Sequence, residues 1–160
     1  MRNFVCAIVG GKDSNPQWTE AIAEMGRFAG EQAVNAGYCV LTGGLTGIMR
    51  EAACGAKKTG GLTIGLLPGT QHCDGNEFLD FILPTGIGIA RNVLTACACD
   101  IMIGLPGGSG TLEEMLFAID FGRPVISFGS HRPEGIYRYI DKDDFSGLTI
   151  ALHGIAKPAR

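Results

Sequence analysis

The sequence predicts an α/β fold: a single domain on a doubly wound parallel sheet with helices on both faces. Two observations carry that prediction. Short apolar runs bounded by glycine recur along the chain, and segments of helical periodicity lie between them. The connections are too long for hairpins, so successive strands run parallel with right-handed crossovers.

The predicted strands are "FVCAIV" (4–9), "YCVLT" (38–42), "LTIGLL" (62–67), "DIMIGL" (100–105) and "PVISF" (124–128). Each is apolar on both faces, as buried parallel strands tend to be. The predicted helices span 18–35, 47–58, 88–99 and 112–121. In the first, Ile22, Met25, Ala29 and Ala33 keep spacings of three or four, which places them on one helix face. From Ser130 onward the pattern weakens, with a short helix expected within 143–153 and a loose tail at about 154–160.

At 160 residues the chain fits one domain, long enough to bury roughly two thirds of its unfolded surface. With 46% hydrophobic residues, 18% charged residues and a net charge of -3, the composition excludes a disordered chain and a broad basic surface for nucleic acid. No run approaches the roughly 18 apolar residues of a membrane span, and the apolar stretch after Met1 is too short for a secretory signal. A cytoplasmic protein is expected. Cys6, Cys39, Cys97 and Cys99 lie in or beside apolar segments and read as reduced, packed thiols. No CxxC pair occurs, so no protein-bound metal is expected.

In an open parallel sheet, ligands bind beyond the carboxyl ends of the strands. Three loops there are glycine-rich: "GGKDSN" (10–15), "TGGLTG" (42–47) and "PGGSGT" (106–111). Helix N-termini offer unpaired N–H groups and a positive dipole end, and glycine lets backbone approach an anion. The expected guest is a small phosphate-bearing ligand, with Gly10, Gly11, Gly43, Gly44, Gly47, Gly107, Gly108, Ser109, Gly110 and Thr111 as binding candidates. Neither GxxxxGK[ST] nor a GxGxxG in its proper setting is present, which excludes the usual nucleotide loops.

Thr111 and Glu114 have the spacing of a capping box at a helix start, which leaves Glu113 in solvent. A carboxylate at a phosphate-binding rim can alternatively act as an acid or base, or stabilise positive charge on a sugar. Arg91, a lone charge in "GIGIARNVLTACACD", requires an anion, either Glu113 or Glu114 or a ligand phosphate. Asn92 adds a neutral hydrogen bond there. His72, His131 and His153 fall in weakly patterned segments and receive no role, while loops 69–81 and 129–136 are expected to shape the pocket.

These motifs resemble those of the Lonely Guy, or lysine-decarboxylase-like, superfamily of Rossmann-like domains. "LTGGLTGIMREAACGAKKTGGLTIGLLP" (41–68) is similar to its first glycine segment, and "ARN" followed by "DIMIGLPGGSGTLEE" (100–114) to its PGGxGTxxE signature. The resemblance covers about residues 4–128 and implies one of two functions. In the branch of phosphoribohydrolases, which release a free base from a nucleoside 5'-monophosphate, the catalytic arginine and glutamate would be Arg91 and Glu114. In the molybdenum-cofactor carrier branch the same rim would hold molybdopterin as cargo. The step of 23 positions from Pro68 to Arg91, and Asn92 where the hydrolases typically carry lysine, bring the chain nearer the carriers.

The resemblance also implies a homodimer or higher homo-oligomer, with the Arg91 helix and the 112–121 helix packed across a two-fold axis. Light scattering is expected to give at least twice the 16.8 kDa chain mass; a monomer mass would contradict this.

Overall fold

A computed structural model of the chain describes residues 3–157, and the end of the expected loose tail, 158–160, lies outside them. Among the described residues, seven parallel strands form one sheet in the order β4-β3-β2-β1-β5-β6-β7. The strands are β1 (Phe4–Val9), β2 (Tyr38–Thr42), β3 (Thr63–Leu67), β4 (Phe81–Pro84), β5 (Ile101–Gly104), β6 (Val125–Phe128) and β7 (Arg138–Ile140). The helices are α1 (Glu20–Asn35), α2 (Ile48–Lys58), α3 (Arg91–Ala98), α4 (Ser109–Asp120) and α5 (Phe145–Gly154). The chain winds outward from β1 to β4, returns through α3 to β5, and winds the other way. The direction reverses between β1 and β5, which pair from Cys6↔Ile101 to Val9↔Gly104.

Alternate residues of the central strands feed two cores. Cys6, Ile8, Val40, Ile103 and Phe128 face α1, α2 and α5; Ala7, Val9, Leu41, Met102 and Val125 face α3 and α4. The sheet is thus covered on both faces, as the doubly wound reading requires.

Two strands escape the sequence reading, and both are sheet edges. β4 alternates exposed and half-buried residues, with Phe81 and Leu83 outward, and ends in Pro84, whose missing N–H is tolerated at an edge. β7 has three residues, only one of them buried. Neither forms the continuous apolar run by which central strands are recognised.

Helix boundaries also shift for local reasons. α1 starts at Glu20 rather than at 18 because the Thr19 hydroxyl accepts from the Ile22 N–H and caps the helix. α3 starts at Arg91 because Gly88–Ala90 form a separate 3-10 turn, with Gly88 at a φ of 60°. α4 starts three residues before the expected Leu112, with Gly108 as its N-cap. The expected C-terminal helix is α5, capped by Asp144, whose carboxylate accepts from the Gly147 N–H. Beyond it Ile155 packs on the core, and the Lys157 ammonium lies 5.0 Å from the Tyr38 ring centre.

All six cysteines are free; Cys6 and Cys99 are buried, whereas Cys97 faces solvent on α3 rather than packing inside. Among the described residues no helix is long and apolar enough to cross a membrane, and no cluster of three His, Cys, Asp or Glu side chains could hold a metal.

α1 and α2 pack backbone against backbone. A Cβ on Gly30 would lie 2.0 Å from the Ala52 carbonyl oxygen, and one on Gly55 would lie 1.9 Å from that of Arg27. A methyl group at either place must push the helices apart. Gly55→Ala is expected to cost about 1–3 kcal/mol in denaturant unfolding, despite alanine's higher helix propensity; a stabilised variant would contradict this packing.

Candidate functional site

The three glycine loops meet at the carboxyl edge of the sheet, where the winding direction reverses. The Gly11 N–H donates to the Pro106 carbonyl at 2.9 Å, and the Ile48 N–H donates to the Gly11 carbonyl at 3.0 Å. The first loop is therefore tied to both others. Gly47 makes this possible: its φ is 68°, and a Cβ there would lie 2.4 Å from the Gly11 carbonyl oxygen.

Above this junction lies a cleft of about 580 Å³, a size suited to a nucleotide-like ligand. Of the residues expected to bind, Gly10, Gly11, Arg91, Asn92, Gly108, Gly110, Thr111 and Glu114 line it. Gly43, Gly44, Gly47 and Gly107 stand behind the wall, and exposed Ser109 is also outside the lining. The second loop presents Leu45 instead, with Met49 from α2 beside it.

Gly43 makes room for the arginine. A Cβ on it would lie 2.4 Å from Arg91 Nη1, so the guanidinium rests where any side chain would stand. Arg91 is buried, and its Nη1 reaches Glu114 Oε1 at 3.4 Å and Thr95 Oγ1 at 3.5 Å. Both contacts are long beside the 2.7–2.9 Å of a strong charge-assisted bond. The Arg91 Nε–H is buried with no hydrogen-bond partner among the described residues. A buried guanidinium so weakly engaged is poised for an additional anion.

The capping-box reading of Glu114 does not hold. Because Gly108 caps α4, Thr111 sits inside the first turn and Glu114 in the second, turned inward to the cleft wall. Glu113 is exposed, as expected. Burial pushes the Glu114 carboxyl up to about 7, overriding the downward pull of Arg91 and of the Thr95 hydroxyl. The same burial lowers the Arg91 pKa, against the opposing pull of Glu114. In both partners desolvation outweighs the attraction across a long contact.

The first N–H groups of α4, on Ser109, Gly110 and Thr111, have no helical carbonyl a turn behind them; Gly110 and Thr111 line the cleft, at the positive end of the helix dipole. Exposed Lys12 adds a cation at the opposite lip. Lys12 was visible in "GGKDSN" as a charge directly behind the first glycine pair, a signal that sequence reasoning passed over.

Loops 69–81 and 129–136 do not line the cleft as expected; they brace its walls. Buried Asn76 donates through Nδ2 to the carbonyls of Gly44 (3.2 Å) and Leu45 (3.0 Å). His131, given no role from sequence, places Nε2 at 3.0 Å from the Gly107 carbonyl and 3.2 Å from that of Gly108. It thereby fixes the loop that leads into α4.

Sheet order and site position together define a Rossmann-like domain with a glycine-rich cleft at its topological switch point. The chain belongs to the SLOG cluster4 family, whose model matches residues 3–150. Its fold is similar to that of the molybdenum cofactor binding protein from Rippkaea orientalis, with a TM-score of 0.75 and 30% identity over 98% of this chain and 91% of that one. It is also similar to the molybdenum cofactor carrier protein from Chlamydomonas reinhardtii, with a TM-score of 0.79 and 28% identity over 94% and 98%. A probable cytokinin riboside 5'-monophosphate phosphoribohydrolase from Oryza sativa is 29% identical over 88% of this chain. The chain spans 64% and 61% of the length of the curated relatives it matches.

Glu114 keeps its proton up to about pH 7 in the folded chain, whereas an exposed glutamate titrates near about 4.3. Between those values the folded state holds a proton that the unfolded state has lost. The resulting stabilisation is complete below the unfolded pKa and disappears as the pH rises through 7. Glu114→Gln cannot titrate, so from pH 5 to pH 8 it is expected to gain about 2–3 kcal/mol on the wild type in urea unfolding. A wild type that gains on the variant over that range would contradict this account of the carboxyl.

Proposed function

We propose that this chain is a cytoplasmic binding protein for a phosphate-bearing pterin, of the molybdenum-cofactor carrier type. The observation that carries the reading is the buried, weakly engaged Arg91 guanidinium beside the free N–H groups of α4. This pairing of a fixed cation and a helix dipole suits the terminal phosphate of a cofactor. Molybdopterin is cargo here: Gly110, Thr111 and Arg91 would grip its phosphate, and Lys12 would add charge at the lip. Leu45, Met49, Pro68 and Ile89 offer an apolar wall for a heterocycle. Similarity over nearly the full length of both chains to two proteins named for this cofactor supports the reading.

A phosphoribohydrolase is the second reading, favoured by one feature of the site. A carboxyl titrating near neutrality at the wall of a phosphate cleft suits acid or base work on an N-glycosidic bond. In that case Glu114 would stabilise the positive charge that develops on the ribose while Arg91 holds the phosphate or the departing base. A homo-oligomer fits either reading, since Leu94 of α3 and Leu116 of α4 are exposed on the face where a second copy was expected.

Molybdenum cofactor released from a molybdoenzyme is expected to co-elute with the protein on gel filtration. Arg91→Met should weaken binding by ten-fold or more, matching the roughly 1.5–3 kcal/mol of a hydrogen bond to a charged group. A panel of nucleoside 5'-monophosphates should yield no free base. Base release that vanishes in Glu114→Ala would overturn the carrier reading in favour of the hydrolase.

A further inference from the structure

Among the described residues three ionisable side chains line the cleft: exposed Lys12, and Arg91 and Glu114, which are only 8% and 7% exposed. Asn92 and Thr111 beside them are buried but neutral. The charge of the buried wall therefore depends on a single proton. With Glu114 ionised the Arg91–Glu114 pair is neutral; with Glu114 protonated it carries one positive charge.

The groups that face Glu114 leave Arg91 as its one close cation among the described residues. α4 packs on α3, β5 and β6, and neither strand contains an ionisable side chain. Burial disfavours a charge on Glu114 most; Arg91 and the Thr95 hydroxyl of α3 oppose that, and exposed Glu113 adds to it. Arg91 can neither give up its own proton nor move into the place of Gly43, which its guanidinium already fills. An anion held by Arg91 and the first N–H groups of α4 must share that guanidinium with Glu114. Two negative groups on one buried cation are disfavoured, and the one that can take up a proton does so. Burial has already brought the Glu114 carboxyl to about 7, so the proton is available near neutrality.

We propose that anion binding in this cleft is coupled to a proton on Glu114: the bound anion and the Glu114 carboxylate compete for the Arg91 guanidinium, and the carboxylate yields by protonation. The step is an acid–base equilibrium in which an anion and a solvent proton are taken up together and released together. Because the bound state holds the proton more tightly than the free state, affinity is greatest at low pH and falls as the pH rises through neutrality. Loading of a phosphate ester is thus favoured by acid and its release by base. This rests on the reading of the cleft as a phosphate site and adds the regulation of that site.

Sulfate is the probe, because it stays a dianion from pH 6.5 to pH 8.5 and any pH dependence of its binding belongs to the protein. NMR titrations at constant ionic strength would follow the methyl signal of Met49, in the cleft lining, and the carboxyl carbon of Glu114. For the wild type, Kd is expected to rise about ten-fold or more over that range, and saturating sulfate to raise the Glu114 midpoint by about one pH unit or more. In Glu114→Gln the rise in Kd should disappear. A wild-type Kd that stays constant, or a Glu114 midpoint that sulfate leaves in place, overturns the coupling, while saturable binding keeps the phosphate reading standing. A pH dependence that survives in Glu114→Gln overturns the coupling equally and assigns the titration to another group, such as His131 behind the loop into α4. Failure of sulfate to bind the wild type at pH 6.5 also overturns it; if inorganic phosphate is equally inert there, the phosphate reading falls with it.

Discussion

The guanidinium of Arg91 is the constraint around which the rim is arranged. A buried cation demands compensation, and the protein supplies only part of it: one carboxylate at 3.4 Å and one hydroxyl at 3.5 Å. Much else follows from accommodating that side chain. Gly43 has no side chain because the guanidinium occupies its place, and Glu114 is drawn into the wall at the cost of its ordinary acidity. A carboxyl held near neutrality answers a guanidinium only weakly, which leaves electrostatic capacity for an anion from outside.

The fold delivers this arrangement through the topology of the sheet. Because the winding reverses between β1 and β5, the loops after these strands diverge to opposite faces and leave a crevice between them. Hydrogen bonds from Gly11 to Pro106 and from Ile48 to Gly11 fix the spacing of its walls. Two side chains from distant loops, Asn76 and His131, then bind the free carbonyls of the second and third glycine loops. The site is a set of backbone turns clamped from behind.

The central strands were legible in the sequence because burial on both faces requires continuous apolar runs, and five such runs stand between glycines. β4 and β7 were not, because an edge strand buries few residues and leaves no such run. Arg91 stood out as a lone charge in an apolar segment. Glu114 was visible, but its part in the wall was not, since "GGSGTLEE" allows a helix capped at either Gly108 or Thr111. Tertiary packing chose Gly108, and the inward turn of Glu114 followed. Asn76 and His131 act on carbonyls 32 and 24 residues away, a kind of contact that leaves no periodic trace in a sequence.

The most direct test of the central claim is to follow the Arg91 side-chain resonances and the Gly110 and Thr111 amides by NMR while inorganic phosphate is added. If the rim is an anion site completed by a ligand, these signals should move together and saturate, and the Arg91 Nε proton should shift toward a hydrogen-bonded position. If the guanidinium is satisfied within the protein, all three will stay in place while the rest of the spectrum remains that of the folded chain.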